Sequence, residues 1–202
     1  MTKKFLVSLA IGFLMFGMVG TASAVVLTFD DILGVTQNDY GEIGSYGGFD
    51  FKTINGSPNY NRMDWIDTVG SQWNYGSVSG DFTMLNNYSG SAIITSSTGS
   101  DFTFSGLYTR IWLDNIESRN VDIEAFNNGS SVWVSDFILT TTWEFIAGSS
   151  VIIDELHLNF GNNFLVDNLE LNGSGSSSVP EPATMVLFGL GLLGLAGVSR
   201  KK

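Results

Sequence analysis

The chain has 202 residues, no cysteine and one histidine, and nine Lys and Arg stand against twenty Asp and Glu, for a net charge of −11. Without a thiol, cysteine catalysis, disulfides and thiolate metal sites are excluded, and the single His157 leaves little room for a zinc centre. The acidic balance argues against nucleic acid and against anionic lipid surfaces as partners.

In chain order, the first element is a targeting segment. Lys3 and Lys4 form a basic start, residues 5–19 form an apolar run, and Ala22-Ser23-Ala24 offers small residues at the positions a signal peptidase reads. The expected signal peptide is 1–24, cut after Ala24. An uncleaved anchor is the alternative.

Residues 25–179 then form a body with four cations (Lys52, Arg62, Arg110 and Arg119) against nineteen acids, a net of −15. Short β-rich runs recur between clusters of Gly, Ser, Asn and Thr. The predicted strands are 25–29, 48–53, 82–85, 92–96, 102–104, 107–113, 121–126, 132–139, 143–146, 151–160 and 164–171. Several alternate with a period of two. Leu107, Thr109, Ile111 and Leu113 oppose Tyr108, Arg110 and Trp112. Val121, Ile123 and Ala125 oppose Asp122, Glu124 and Phe126, and Leu156, Leu158 and Phe160 oppose Glu155, His157 and Asn159. One apolar and one polar face per strand predicts antiparallel sheets on a shared core. The expected fold is all-β: an antiparallel β-sandwich of jelly-roll type over 25–171. A flexible Gly/Ser linker over 172–179 follows it.

Within the body, Tyr108, Arg110 and Trp112 present two rings and a cation on one strand face. Asp122, Glu124 and Phe126 lie on the polar face of the next predicted strand. Rings stack on sugar C–H faces while carboxylates and Arg bond hydroxyls, so this set is the candidate carbohydrate platform. The alternative is that Trp112 packs beneath a loop. No motif selects a catalytic pair from the nineteen acids, and Glu155 with His157 reads as a surface pair, so the chain is expected not to be an enzyme.

The tail is tripartite. Pro180-Glu181-Pro182 is followed by residues 183–199, seventeen positions without a charge, and then by Arg200-Lys201-Lys202. A helix of that length spans roughly 25 Å, near the lower limit for a bilayer core of about 30 Å. Met185, Leu187, Phe188, Leu190, Leu192, Leu193 and Leu195 leave no polar face, which suits lipid. A single transmembrane helix over 183–199 is expected, with the basic stop on the cytoplasmic side and the body across the membrane.

Val179-Pro180-Glu181-Pro182, the Gly- and Leu-rich helix and the basic end together resemble the PEP-CTERM sorting signal of Gram-negative bacteria. The resemblance covers 180–202 and implies a fate. An exosortase-type membrane enzyme would process the tail at or near the motif. The protein would cross the inner membrane, pass through a membrane-anchored precursor and end in the cell envelope or extracellular matrix, in company with exopolysaccharide.

The body carries a second resemblance. Leu27-Thr28-Phe29-Asp30-Asp31, Tyr46-Gly47-Gly48-Phe49, Ile152-Ile153-Asp154-Glu155-Leu156 and Val166-Asp167-Asn168-Leu169 recur in this order in many PEP-CTERM exported proteins. The pattern is similar to jelly-roll carbohydrate-binding modules, whose first and last strands are neighbours. In that arrangement Asp30 or Asp31 approaches Asp167, and similar modules hold a structural calcium at such a place. The alternative is that these acids cap their own turns. The leading expectation is a non-enzymatic envelope or biofilm-matrix protein with exopolysaccharide as its ligand. A structural or adhesive surface protein without a glycan ligand and a secreted carbohydrate-active enzyme are the alternatives.

Overall fold

A computed structural model describes residues 24–57 and 59–173. The expected signal peptide up to residue 23, with Ala22, lies outside the described residues. So do Pro180-Glu181-Pro182, the expected helix over 183–199 and the basic stop Arg200, Lys201 and Lys202. Among the described residues no helix is long and apolar enough to cross a membrane.

Thirteen strands are described: β1 (Val25–Leu27), β2 (Tyr40–Glu42), β3 (Ser45–Tyr46), β4 (Phe49–Ile54), β5 (Asp64–Asp67), β6 (Phe82–Asn86), β7 (Ser91–Ser96), β8 (Phe102–Ile111), β9 (Arg119–Asn127), β10 (Ser130–Leu139), β11 (Glu144–Ile153), β12 (Glu155–Asn159) and β13 (Phe164–Gly173). They form two antiparallel sheets. One runs β11-β8-β13-β6-β5-β2 with β1 added on β13; the other runs β10-β9-β12-β7-β4-β3. The fold is the jelly-roll β-sandwich that the alternation predicts.

Between the sheets lies the main core, with Phe29, Phe51, Phe104, Ile123, Leu156, Leu158, Phe160 and Phe164 all under 2 % exposed. Ile123, Leu156, Leu158 and Phe160 are inward members of the alternating runs. Each fully buried aliphatic or aromatic side chain contributes about 1.5–3 kcal/mol of transfer free energy.

Three departures from the predicted strands have local causes. Residues 102–104 and 107–111 form one strand because Gly106 carries the chain through, while Trp112 and Leu113 fall beyond its end. A Cβ at Gly106 would lie 2.4 Å from the Phe145 ring. The predicted run 151–160 breaks at Asp154, which separates β11 from β12 and accepts the Asn128 N–H at 2.8 Å. The predicted end of the domain at 171 extends to Gly173, since Asn172 and Gly173 still pair with Thr103 and Phe102.

β13 organises the seven-stranded sheet. Along one edge it pairs with β8 throughout. Along the other it pairs first with β6 (Phe164–Val166) and then with β1 (Leu169–Leu171). The changeover falls at a bulge at Asp167 and Asn168, where Asn168 takes a left-handed φ of 47°. The register Val25↔Leu171 also brings Ala24 and Gly173 to one pole of the sandwich.

Candidate functional site

The gap on β13 between β1 and β6 is closed by two carboxylates. Asp167 is fully buried, and its Oδ2 accepts the backbone N–H groups of Val78 at 2.7 Å and Ser79 at 2.9 Å. Its Oδ1 accepts the N–H of Asn168 at 2.7 Å. Asp30, just past β1, accepts the N–H groups of Asp81 at 2.8 Å and Phe82 at 3.1 Å. Both therefore fasten the segment 68–81 that links β5 to β6. A Cβ at Gly80 would sit 2.0 Å from the Asp30 carboxylate, and Gly80 has a φ of +56°, so only glycine fits under this clamp. Burial raises the Asp167 pKa from 3.8 to about 6; the three N–H bonds oppose that rise and the Asp30 charge adds to it.

Asp30 and Asp167 thus hold the same segment, and the Asp30 charge acts on Asp167. Asp30 Oδ1 and both oxygens of Asp167 are already taken up by backbone N–H groups. Asp31 turns away and accepts the Tyr46 hydroxyl. That bond and burial push the Tyr46 pKa up to about 12, burial contributing most. Among the described residues no group of three or more His, Asp or Glu is placed to hold a metal. A calcium ion needs six to eight oxygens, so the donor set of Asp30, Asp31 and Asp167 does not fit the expected ion.

The segment 68–81 covers the outer face of the seven-stranded sheet. There Ile66, Leu85 and Leu165, all at most 1 % exposed, form a second small core with the partly buried Trp73, Tyr75, Trp112 and Trp143. This is where Tyr108, Arg110 and Trp112 fall. Trp112 lies one residue beyond β8 and packs against this second core. Arg110 is 8 % exposed, and its donors reach the carbonyls of Ile111 at 2.9 Å and Tyr75 at 2.8 Å and the Asp114 carboxylate. The Tyr108 ring lies 5.1 Å from that of Phe145. The three residues do share the outer side of one sheet, but Arg110 and Trp112 serve the loop above them.

Asp122, Glu124 and Phe126 are separated from them. β9 belongs to the six-stranded sheet, so these side chains lie on the opposite outer face of the sandwich, a correction to the expected joint platform. The register there sets Phe126 beside Glu155, Glu124 beside His157 and Asp122 beside Asn159. Asn159 donates to Asp122 at 2.6 Å, His157 contacts the Glu155 carboxylate, and the Phe126 and His157 rings lie 4.5 Å apart. Val134 and Asp136 extend the row on β10, opposite Glu124 and Asp122. Thr95, Phe126, Gly129, Asp154 and Glu155 help to line a cleft of about 340 Å³ at one end of this face. All six central side chains are partly exposed. The face offers carboxylate acceptors, amide and imidazole donors and one ring, a set that suits neutral hydroxyl groups.

A further cluster was not read from the sequence. The rings of Tyr60 and Tyr88 stack at 4.3 Å, and the Arg62 guanidinium lies within 5.3–5.5 Å of both. Arg62 donates to the Tyr88 hydroxyl at 3.0 Å and approaches Asp64, a fully buried carboxylate, at 3.0 Å. Burial raises the Asp64 pKa while Arg62 counters it. The alternation Tyr60-x-Arg62-x-Asp64 was the available signal.

The model of the PEP-CTERM protein-sorting motif matches residues 178–201. The chain thus carries this sorting motif beyond its β-sandwich. No curated protein matches the sequence. Several solved carbohydrate-binding modules are loosely similar. A family 61 module described in complex with β-1,4-galactotriose is 11 % identical with a TM-score of 0.37, over 65 % of this chain and 92 % of its own. A family 4 module is 11 % identical with a TM-score of 0.32, over 73 % and 97 %. The module CtCBM11 is 15 % identical with a TM-score of 0.31, over 78 % and 99 %. Likeness this loose fixes neither a ligand nor a site in this chain.

Proposed function

We propose that this is a non-enzymatic exported protein, sorted through Pro180, Glu181 and Pro182 by an exosortase-type enzyme. The single observation that carries this reading is the sorting-motif match at 178–201. Segment 1–24 acts as the signal peptide, 174–179 as the tether and 180–202 as the sorting signal, with 183–199 as a transient membrane helix. Its basic end, Arg200-Lys201-Lys202, stays on the cytoplasmic side. The destination is the cell envelope or extracellular matrix of a Gram-negative bacterium. Glu181→Ala is expected to hold the protein in the membrane fraction.

In this reading the body meets exopolysaccharide through the open face of the six-stranded sheet. Asp122, Glu124, Glu155, His157 and Asn159 engage hydroxyls while Phe126 supplies the apolar contact. What favours this face is that its polar groups remain partly exposed, whereas Arg110 and Trp112 are committed beneath the segment 68–81. The full-length protein is expected to co-sediment with its host's exopolysaccharide. Asp122→Ala with Phe126→Ala should weaken that binding by about tenfold or more, as loss of a central contact does. Failure of the unaltered protein to co-sediment would favour the purely structural or adhesive alternative.

A further inference from the structure

Three of the four strands that end the two sheets are poor templates for another chain. β3 has two residues and β2 has three, and the ladder of β11 with β8 is interrupted between Ser149 and Ile153. β10 differs. It has ten residues, pairs on one side only, and after a bulge at Ser131 and Trp133 keeps unbroken register from Trp133 to Leu139. Among the described residues no backbone hydrogen bond reaches its outer edge. It carries no Lys or Pro, the residues that commonly guard an edge. Val134 is 50 % and Ile138 57 % exposed on its outward face.

We propose that β10 pairs antiparallel with β10 of a second copy about a two-fold axis at Ser135. An unpaired strand edge offers a row of backbone donors and acceptors that only another extended strand can satisfy along its length. The strand's own pattern selects a second copy. Centring on Ser135 sets Trp133 opposite Phe137 and Val134 opposite Asp136. Centring on Asp136, the only charge in the strand, would oppose two carboxylates directly and is disfavoured. The contact follows an isologous two-fold, in which each residue pair occurs twice. A side wall roughly 30 Å long and 20 Å wide, from two sheets about 10 Å apart, gives on the order of 600 Å² per partner. That is somewhat below the common size of a stable interface, so a reversible dimer follows. The body's net charge of −15, read from four cations and nineteen acids, opposes association, and added salt strengthens the dimer.

Because the chain has no cysteine, single substitutions report cleanly. Full-length protein carrying Ser135→Cys is oxidised at about 0.5 M salt, where charge is well screened. Ser45→Cys on the short β3 edge is the matched control. The expected result is a covalent dimer at least about fivefold more abundant for Ser135→Cys, lost when Val134→Lys and Ile138→Lys are added at these exposed positions. Equal cross-linking at the two cysteines would overturn the proposal. So would a Ser135→Cys dimer that survives the two lysines with an unchanged melting temperature. The outcome is independent of saccharide binding.

Discussion

Asp167 is a buried carboxylate held by three N–H donors beside a second acid, and its chemistry follows from that position. Its pKa is about 6 in the folded chain against 3.8 when exposed, so the native state favours the protonated form. The stability tied to this group is fully present below pH 3.8 and is lost as the pH rises through 6. The shift amounts to about 3 kcal/mol. Asp167→Asn removes the titration. The difference in unfolding free energy between variant and wild type is therefore expected to change by about that amount between pH 4 and pH 7, in favour of the variant at pH 7. Denaturant melts at the two pH values measure it, and a pH-independent difference would contradict the assignment.

At the scale of elements, the segment 68–81 is the least autonomous part of the fold. Its own backbone bonds are few, among them Thr68 N–H to Asp81 and Gly76 N–H to Thr68, each 2.9 Å. Asp30, Arg110 and Asp167, on three different elements, hold its backbone, Asn168 accepts the Ser79 hydroxyl, and Trp73 and Tyr75 pack on the second core. Arg110→Ala leaves the Tyr75 carbonyl without its donor and opens space against the Tyr75 ring. A loss of about 2–4 kcal/mol is expected, with faster hydrogen exchange at residues 75–79 while β9 and β12 stay protected. Uniform exchange across both sheets would show that the segment is not a separate unit.

The same elements explain what could be read in advance. β9 and β12 were legible because each buries one face and wets the other. β5 was not: all four of its residues are buried, two of them aspartates, so neither period nor polarity marks it. The pairing of the first strand with the last is present as β1 on β13. The backbone partners of Asp30 and Asp167 were not legible, because the N–H groups of residues 78–82 converge only after segment 68–81 folds over Ile66, Leu85 and Leu165. Arg110 and Trp112 misled for the same reason. An alternating strand reports which face a side chain takes but not whether a distant loop covers that face.

For the whole molecule, the two faces of the sandwich play different parts. One is sealed by segment 68–81 and contributes stability; the other keeps Asp122, Glu124, Phe126, Glu155, His157 and Asn159 partly open. Ala24 and Gly173 share one pole of the sandwich. The proposed sorting turns on the two ends of the chain. The most direct test is the intact mass of the protein recovered from the envelope and the medium, compared between wild type and Glu181→Ala. Wild-type chains are expected to begin at Val25 and end at or near residues 180–182, and the Glu181→Ala protein to keep its tail and stay with the membrane. A wild-type protein recovered outside the membrane with residues 183–202 intact would contradict the proposed sorting.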